Sequence, residues 1–368
     1  MENDYMQDFI LWAESKGVQI HGIKPARIPT RGVGVIATRE LETGQQIMQI
    51  PATAIHSLHS IPTSISARLP SDVPLHALLA ADLALKTPST DSPWAKLLPT
   101  QADFAASVPL MWPKELHEYL PITAYRILER QQHKFQREWD IVAKAFPKLD
   151  RSEYMYRWLI INTRTFFYET PEMERYNWED KLCLLPAADS FNHATDGCKV
   201  TWWDDEGYVI TTNRTYHVGE ELFISYGEHS NDFLLVEYGF MVPQNPYDEV
   251  GLDEVIMPKL GRAQQDVLEQ QGLLGDYTFH AHTGPCVRTR AAITEIQKQK
   301  RKQKHTGTES QFDTLLADLL RELLIFSREK LRQLNDLRIG EATHRDLLIQ
   351  RWTQIEHIIL KSQEKYEL

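Results

Sequence analysis

Apolar residues along the chain change their period three times, and the changes mark out its organisation. Over residues 4–16, Phe9, Trp12 and Ala13 share one face and Gly17 follows, which predicts a short helix with its stop. Gly32–Ala37 then reads as a strand interrupted by glycines. Leu41-Glu42-Thr43-Gly44 reads as a turn, and Gln46–Ile50 as a second strand closed by Pro51. From about residue 74 to 165 the period becomes helical. Leu75, Leu78, Leu79, Leu83 and Leu85 cover one broad face. After Pro121, the residues Tyr125, Leu128, Gln132, Phe135, Trp139, Val142 and Phe146 alternate spacings of three and four. That spacing predicts one buried stripe on a helix about 36 Å long. A further helix is predicted over Tyr154–Phe167, carrying Trp158, Ile161 and an internal Arg164.

From residue 184 the β character returns. Val200–Trp203 and Tyr208–Thr212 predict a hairpin around Asp204-Asp205-Glu206-Gly207. Val218–Glu221 predicts a turn leading into the strand Leu222–Tyr226, which Gly227 stops. Beyond Pro246 the chain reads as mostly helical. Leu315, Leu316, Leu319, Leu320, Leu323 and Leu324 form one stripe, and Trp352, Ile355 and Ile359 another. The class that follows is α+β, with the β material split by a large helical block.

Composition narrows the function classes. The 368 residues are 42% hydrophobic and 25% charged, enough for two or three domains whose cores need no disulfides. Acidic residues number 51 against 40 basic ones, a formal net charge of −11, so the footprint of a nucleic-acid binder is missing. The three cysteines (Cys183, Cys198, Cys286) form no C-x-x-C pair, which excludes a four-cysteine zinc site and fits a reducing compartment. The acidic first residues do not resemble a signal peptide, and no run of 18 apolar residues occurs. No membrane partner is expected, and the expected residence is cytoplasmic or nuclear. The basic run Gln297–Lys304 reads as a solvated helix end, with a nuclear-import address as the alternative.

Several familiar catalytic constellations are missing. The chain has no H-E-x-x-H, no phosphate-binding G-x-x-x-x-G-K-[ST] and no G-x-S-x-G elbow. His56 with His59, and His280 with His282 and Cys286, lack further ligands at sensible spacing, so no metal is expected. Three segments stand out instead. They are Arg31-Gly32-Val33-Gly34, Leu185–His193 with its Asp189 and Asn192-His193, and Gly219–Gly227 followed by Tyr238-Gly239-Phe240.

In this order the three segments resemble the motifs of SET-domain protein methyltransferases, specifically the class typified by the Rubisco large-subunit lysine methyltransferase. Ser92-Pro93-Trp94 with Leu98-Pro99, Thr163-Arg164 and the leucine-rich tail extend the resemblance over almost the whole chain. It implies a β-rich SET core with a pseudoknot, split by a helical insert and followed by an all-α C-terminal domain. The corresponding boundaries are 1–74 for the N-terminal helix and first core part, 75–183 for the insert, 184–248 for the second core part, and 249–368 for a substrate-docking domain.

The implied cofactor is S-adenosylmethionine, leaving as S-adenosylhomocysteine. The resemblance assigns it to Arg31, Gly32, Val33, Gly34, Arg164, Asp189, Asn192, His193 and Tyr226. Glycines admit close backbone approach, and a guanidinium at Arg164 suits the methionine carboxylate. Tyr226 is expected to be catalytic, its hydroxyl accepting a CH···O contact from the methyl and orienting the amine. Phe166, Ser225, Tyr238 and Phe240 are expected along the substrate channel, with one of Trp202 or Trp203 as a further candidate. The implied activity is lysine N-methylation of a non-histone protein. The alternatives are histidine methylation on the same fold, or a SET fold kept as a binding module.

Overall fold

The computed structural model describes residues 2–86, 92–301 and 310–365. The chain divides into two compact units, Met1–Phe104 with Gln132–Glu228, and Ala105–Gln131 with His229–Leu368.

In the first unit, helix α1 (Glu2–Ser15) precedes strands β1 (Gln19–Ile20), β2 (Ile23–Ile28), β3 (Gly32–Ala37) and β4 (Gln46–Ile50). Helices α2 (Thr63–Ser66) and α3 (Leu75–Leu85) follow, and the division between units falls inside α4 (Gln101–Ser107) and α5 (Ile122–Ala145). Next come α6 (Arg151–Arg164), β5 (Thr165–Phe167), β6 (Leu182–Leu184), β7 (Asn192–Trp203), β8 (Gly207–Thr211) and β9 (Glu221–Ile224). Seven strands make one sheet in the order β1-β4-β8-β7-β9-β3-β2, while β5 and β6 pair separately. The strands expected at Gly32–Ala37 and Gln46–Ile50 are both present. Strand β2 carries Pro25, which a sheet tolerates here because β2 is an edge strand.

The local differences from the sequence reading have physical causes. Helix α6 starts earlier because the Asp150 carboxylate caps the N–H groups of Ser152 and Glu153 at 2.9 and 3.0 Å. It stops at Arg164, not Phe167, because Thr165-Phe166-Phe167 pair with Leu184-Cys183-Leu182 in a two-stranded ladder suited to β-branched and aromatic residues. On α5, Leu128, Phe135 and Val142 are buried as the stripe predicts, as is Phe146 just past its end, but Tyr125 is exposed. Two polar residues, Gln131 and Glu138, are buried beside the stripe. Glu138 explains its own burial, since it accepts hydrogen bonds from the Trp158 indole at 2.7 Å and the His76 ring at 3.0 Å.

The second unit holds α7 (Asn231–Tyr238), β10 (Glu249–Gly251), α8 (Asp253–Ile256), α9 (Arg262–Gln270), β11 (Thr278–His280), β12 (Gly284–Pro285), α10 (Val287–Arg301), α11 (Ser310–Asp336) and α12 (Ala342–Lys365). Strands β10, β11 and β12 form a small sheet that helical periodicity alone did not reveal. The core is the expected leucine stripe of α11, Leu316, Leu319, Leu320 and Leu323, with Trp352, Ile355 and Ile359 of α12. Part of the basic run 297–304 lies outside the described residues. Among the described residues, no helix is long and apolar enough to cross a membrane.

Candidate active site

The site grows from the connection between β6 and β7. The chain enters the turn Ala188–Ser190 through Ala187 at φ 90°, ψ −48°, a conformation costing an L-residue about 1–3 kcal/mol. Asp189 holds that turn in place. Its Oδ1 accepts from the Ala187 N–H at 3.1 Å, and its Oδ2 from the Trp94 indole at 2.7 Å. Burial raises the Asp189 pKa, while the nearby Arg164 guanidinium and the Trp94 hydrogen bond oppose the rise.

Beyond the turn, Asn192 and His193 run parallel to Phe223 and Ile224 of β9. The register slips between His193 and Cys198, and there Gly197 passes so close that an added Cβ would lie 2.7 Å from the Phe223 carbonyl oxygen. This parallel crossing of two distant segments is the pseudoknot of the expected fold. It places Asn192-His193 against the residues that leave β9. The Tyr226 N–H donates to His193 Nδ1 at 3.0 Å, and the Tyr226 hydroxyl donates to the Phe191 carbonyl at 2.6 Å. Burial pushes the Tyr226 pKa up to about 12, so its phenol is neutral at physiological pH and its oxygen remains an acceptor.

The alternation of β9 builds the opposite wall. Leu222 and Ile224 are buried in the core, which leaves Glu221 and Phe223 on the other face. Glu221 Oε1 accepts from the Asn192 amide at 2.8 Å, and Oε2 pairs with Arg31 Nη2 at 2.7 Å. The Arg31 guanidinium also lies over the Phe223 ring, 5.4 Å from its centroid. Gly34 faces this group directly. A Cβ there would stand 2.6 Å from Glu221 Oε1 and 2.8 Å from Asn192 Nδ2, so any other residue would push this pair of side chains aside. Gly32, at φ +73°, has open space where a side chain would be, and Val33 between them is buried.

Arg164 reaches the same segment from the end of α6. Its Nη1 donates to the Asp189 carbonyl, yet its Nε is buried without any hydrogen-bond partner. An orphaned guanidinium N–H is costly, by about 1–3 kcal/mol, unless a ligand meets it.

Arg31, Gly34, Arg164, Asp189, Asn192, His193 and Tyr226 are thus linked through shared contacts in the first unit. The remaining expected residues make contacts of their own. Phe166 sits on β5 with its ring 6.4 Å from Tyr208. Ser225 is exposed, its hydroxyl accepting from the Gly227 N–H at 3.3 Å. Tyr238 ends α7 in the second unit, and its ring is 6.1 Å from that of Phe240. Trp202 packs on Tyr168 and Tyr208 at 5.1 and 4.9 Å, while Trp203 is exposed. Among the described residues, no group of three or more His, Cys, Asp or Glu side chains is placed to hold a metal ion.

Two residues carry more of the site than sequence reasoning assigned. Glu221 bridges Arg31 and Asn192, whereas its neighbour Glu220 binds Arg214 at 2.6 Å. The strand alternation Glu221, Phe223 against Leu222, Ile224 was the available signal. Trp94 carried no role in sequence, because its partnership with Asp189 spans 95 positions.

Comparison with known proteins agrees with this architecture. The SET-domain family model matches residues 32–227, the span from Gly32 to Gly227 that carries every linked residue except Arg31. The ribosomal lysine N-methyltransferase set11 of Schizosaccharomyces pombe is 28% identical over 289 residues, 78% of this chain and 74% of that protein. The human actin-histidine N-methyltransferase is 26% identical over 286 residues, 72% of this chain but only 46% of that protein. Among solved structures, Rubisco LSMT bound to AdoMet aligns with a TM-score of 0.63 over 98% of this chain and 93% of that one; at 15% identity that likeness concerns the fold. A match covering more than half the chain, on a β core with this pseudoknot, means that the chain belongs to the SET-domain family.

Proposed function

We propose that this SET-domain methyltransferase moves the methyl group of S-adenosylmethionine to a lysine side chain of a non-histone protein. The observation that carries the reading is Arg164, whose buried Nε has no partner while its Nη1 is fixed on the Asp189 carbonyl. A small anionic group such as the cofactor's carboxylate matches that vacant donor. Gly32, with nothing where a side chain would stand, leaves backbone that a ligand can approach closely.

When bound, S-adenosylmethionine supplies an electrophilic methyl on a positively charged sulfur. The protein's own contribution is positioning. Asp189 holds the turn, Asn192 is oriented by Glu221, and His193 is oriented by the Tyr226 N–H. Because that N–H donates to Nδ1, the neutral His193 ring carries its proton on Nε2. The Tyr226 hydroxyl is fixed by its hydrogen bond to the Phe191 carbonyl, so its oxygen is held in one place to align an incoming amine. Transfer needs the neutral amine, and a partly desolvated site with a cation nearby lowers a lysine's pKa. No dedicated strong base is then required.

Lysine is favoured over histidine because the lysine-modifying relative matches across most of its own length, the histidine-modifying one across less than half. The histidine reading keeps support from that second relative. The deciding experiment incubates the protein with radiolabelled cofactor and a cell extract, then identifies the methylated residue by mass spectrometry. Methyl-lysine is expected; methylhistidine overturns the lysine assignment. Tyr226→Phe is expected to lower turnover about 100-fold, since losing one anchor misplaces the reacting groups. Unchanged turnover would remove Tyr226 from the mechanism.

A further inference from the structure

The connection between β5 and β6 exposes aromatic surface that the cofactor site does not use. Phe167 is 50% exposed and Trp178 72% exposed, and the two rings stack on each other with centroids 5.6 Å apart and an interplanar angle of 28°. Stacked aromatics open to solvent are unusual, since much of their apolar area stays in water. Around them the segment is acidic. Glu169, Glu172, Glu174 and Glu179 are all exposed. Hydrogen bonds from its own backbone and from Thr170 hold Glu172 below the usual carboxylate range.

The cations of the same segment are already engaged. Arg175 donates to the Tyr176 hydroxyl at 2.9 Å and lies over that ring at 4.9 Å, and Lys181 is paired with Glu169. Carboxylates and π-faces share one preference, for cations. The patch also lies close in sequence to the site: Phe167 is three residues beyond Arg164, about 10 Å along an extended chain.

Building on the protein-methyltransferase reading, we propose that the Phe167–Trp178 stack and the carboxylates around it form a docking surface for an arginine- or lysine-rich segment of the protein substrate. Guanidinium groups would lie on the Trp178 face while neighbouring cations meet Glu172, Glu174 and Glu179. The substrate class is therefore a protein whose modified residue is flanked by basic sequence.

The test measures binding directly, without turnover. A fluorescein-labelled hexa-arginine peptide is titrated with the full-length protein by anisotropy, with hexa-glutamate as the comparison. Thermal stabilisation by S-adenosylhomocysteine is recorded for each variant. The parent is expected to bind hexa-arginine and not hexa-glutamate. Trp178→Ala with Phe167→Ala is expected to weaken hexa-arginine binding about tenfold, as is Trp178→Leu, which keeps apolar bulk but loses the π-face. Stabilisation by S-adenosylhomocysteine is expected to be unchanged, because neither residue touches that site. The control Glu329→Gln, a partly exposed carboxylate of α11 paired with Arg332, should leave peptide binding as it was.

The proposal is overturned if the parent does not bind hexa-arginine, if hexa-glutamate binds as well, or if Trp178→Leu binds like the parent. A parent that S-adenosylhomocysteine fails to stabilise would instead refute the cofactor reading, and the anisotropy result would still decide the patch.

Discussion

Arg351 in the second unit and Arg164 in the first both sit beside an aspartate, but their donors are used differently. Arg351 is fully buried. Its Nε donates to Asp232 at 2.6 Å, its Nη1 to Asp248 at 2.7 Å, and its Nη2 to the Glu249 carbonyl at 2.9 Å. Asn231 closes the network through Asp248 and the Val242 carbonyl. Burial would lower the Arg351 pKa, but Asp232 and Asp248 more than offset it, so the net direction is upward. Arg164 meets Asp189 only through the backbone carbonyl and keeps a buried Nε without a partner. A charge network complete within the chain serves the fold. One left incomplete is where a ligand is called for, and that difference is the clearest internal pointer to the site.

Substitution should separate the two arginines. Arg351→Met leaves Asp232 and Asp248 buried without their cation, and a loss of about 3–5 kcal/mol of stability is expected in denaturant titration. A loss under about 1 kcal/mol would show the network to be dispensable and break the comparison. Arg164→Met should behave oppositely. Unfolding is expected to shift little, while calorimetry should show S-adenosylhomocysteine binding weakened about 10- to 100-fold, the worth of a hydrogen bond to a charged group. An unaltered dissociation constant would mean that the vacant Nε has no ligand.

Glu221→Gln tests a smaller step in the same logic. The glutamine keeps the shape and still has one carbonyl for the Asn192 amide, but it loses the charge that holds Arg31. Because Arg31 is about half exposed, the pair itself contributes little in water. A three- to tenfold weakening of S-adenosylhomocysteine binding is expected, arising from a less fixed Asn192. Glu221→Ala should weaken it further, and equal effects for the two would mean that the carboxylate does not position Asn192.

How much of this was legible beforehand differs between the two units. Strands β3 and β4 follow from short apolar runs punctuated by glycine or closed by proline, and the leucine stripe of α11 from helical periodicity. The residues of the site were legible by type, through Arg31–Gly34, Asn192-His193 and Tyr226. The contacts that join them were not. The Trp94–Asp189 and Asn192–Glu221 bonds link residues 95 and 29 positions apart, and nothing in local spacing encodes such pairs. The Arg351 network was missed for the same reason, since it joins α12 to residues more than 100 positions earlier. Strand β5 was read as helix because three residues after Arg164 carry no period of their own; their pairing with β6 decides them.

The smallest expected effect concerns Tyr226 and pH, and it returns to Arg164. Burial raises the Tyr226 pKa to about 12; Arg164 opposes the rise, while Asp189 and Glu221 add to it. In the unfolded chain a tyrosine ionises near 10. Between about pH 10 and pH 12 the unfolded state therefore holds fewer protons than the native state, so stability falls as pH rises through that window. Tyr226→Phe removes this contribution, and its stability should decline less steeply than the parent's over the same range. Tyr208 and Tyr216 are also raised by burial, so the parent–variant difference isolates Tyr226. Arg164→Met should steepen the parental decline, because it removes the cation that favours the phenolate. Superimposable slopes for parent and Tyr226→Phe in denaturant titrations from pH 9 to 12 would mean that the phenol is open to water, and that the site lacks the desolvation its chemistry requires.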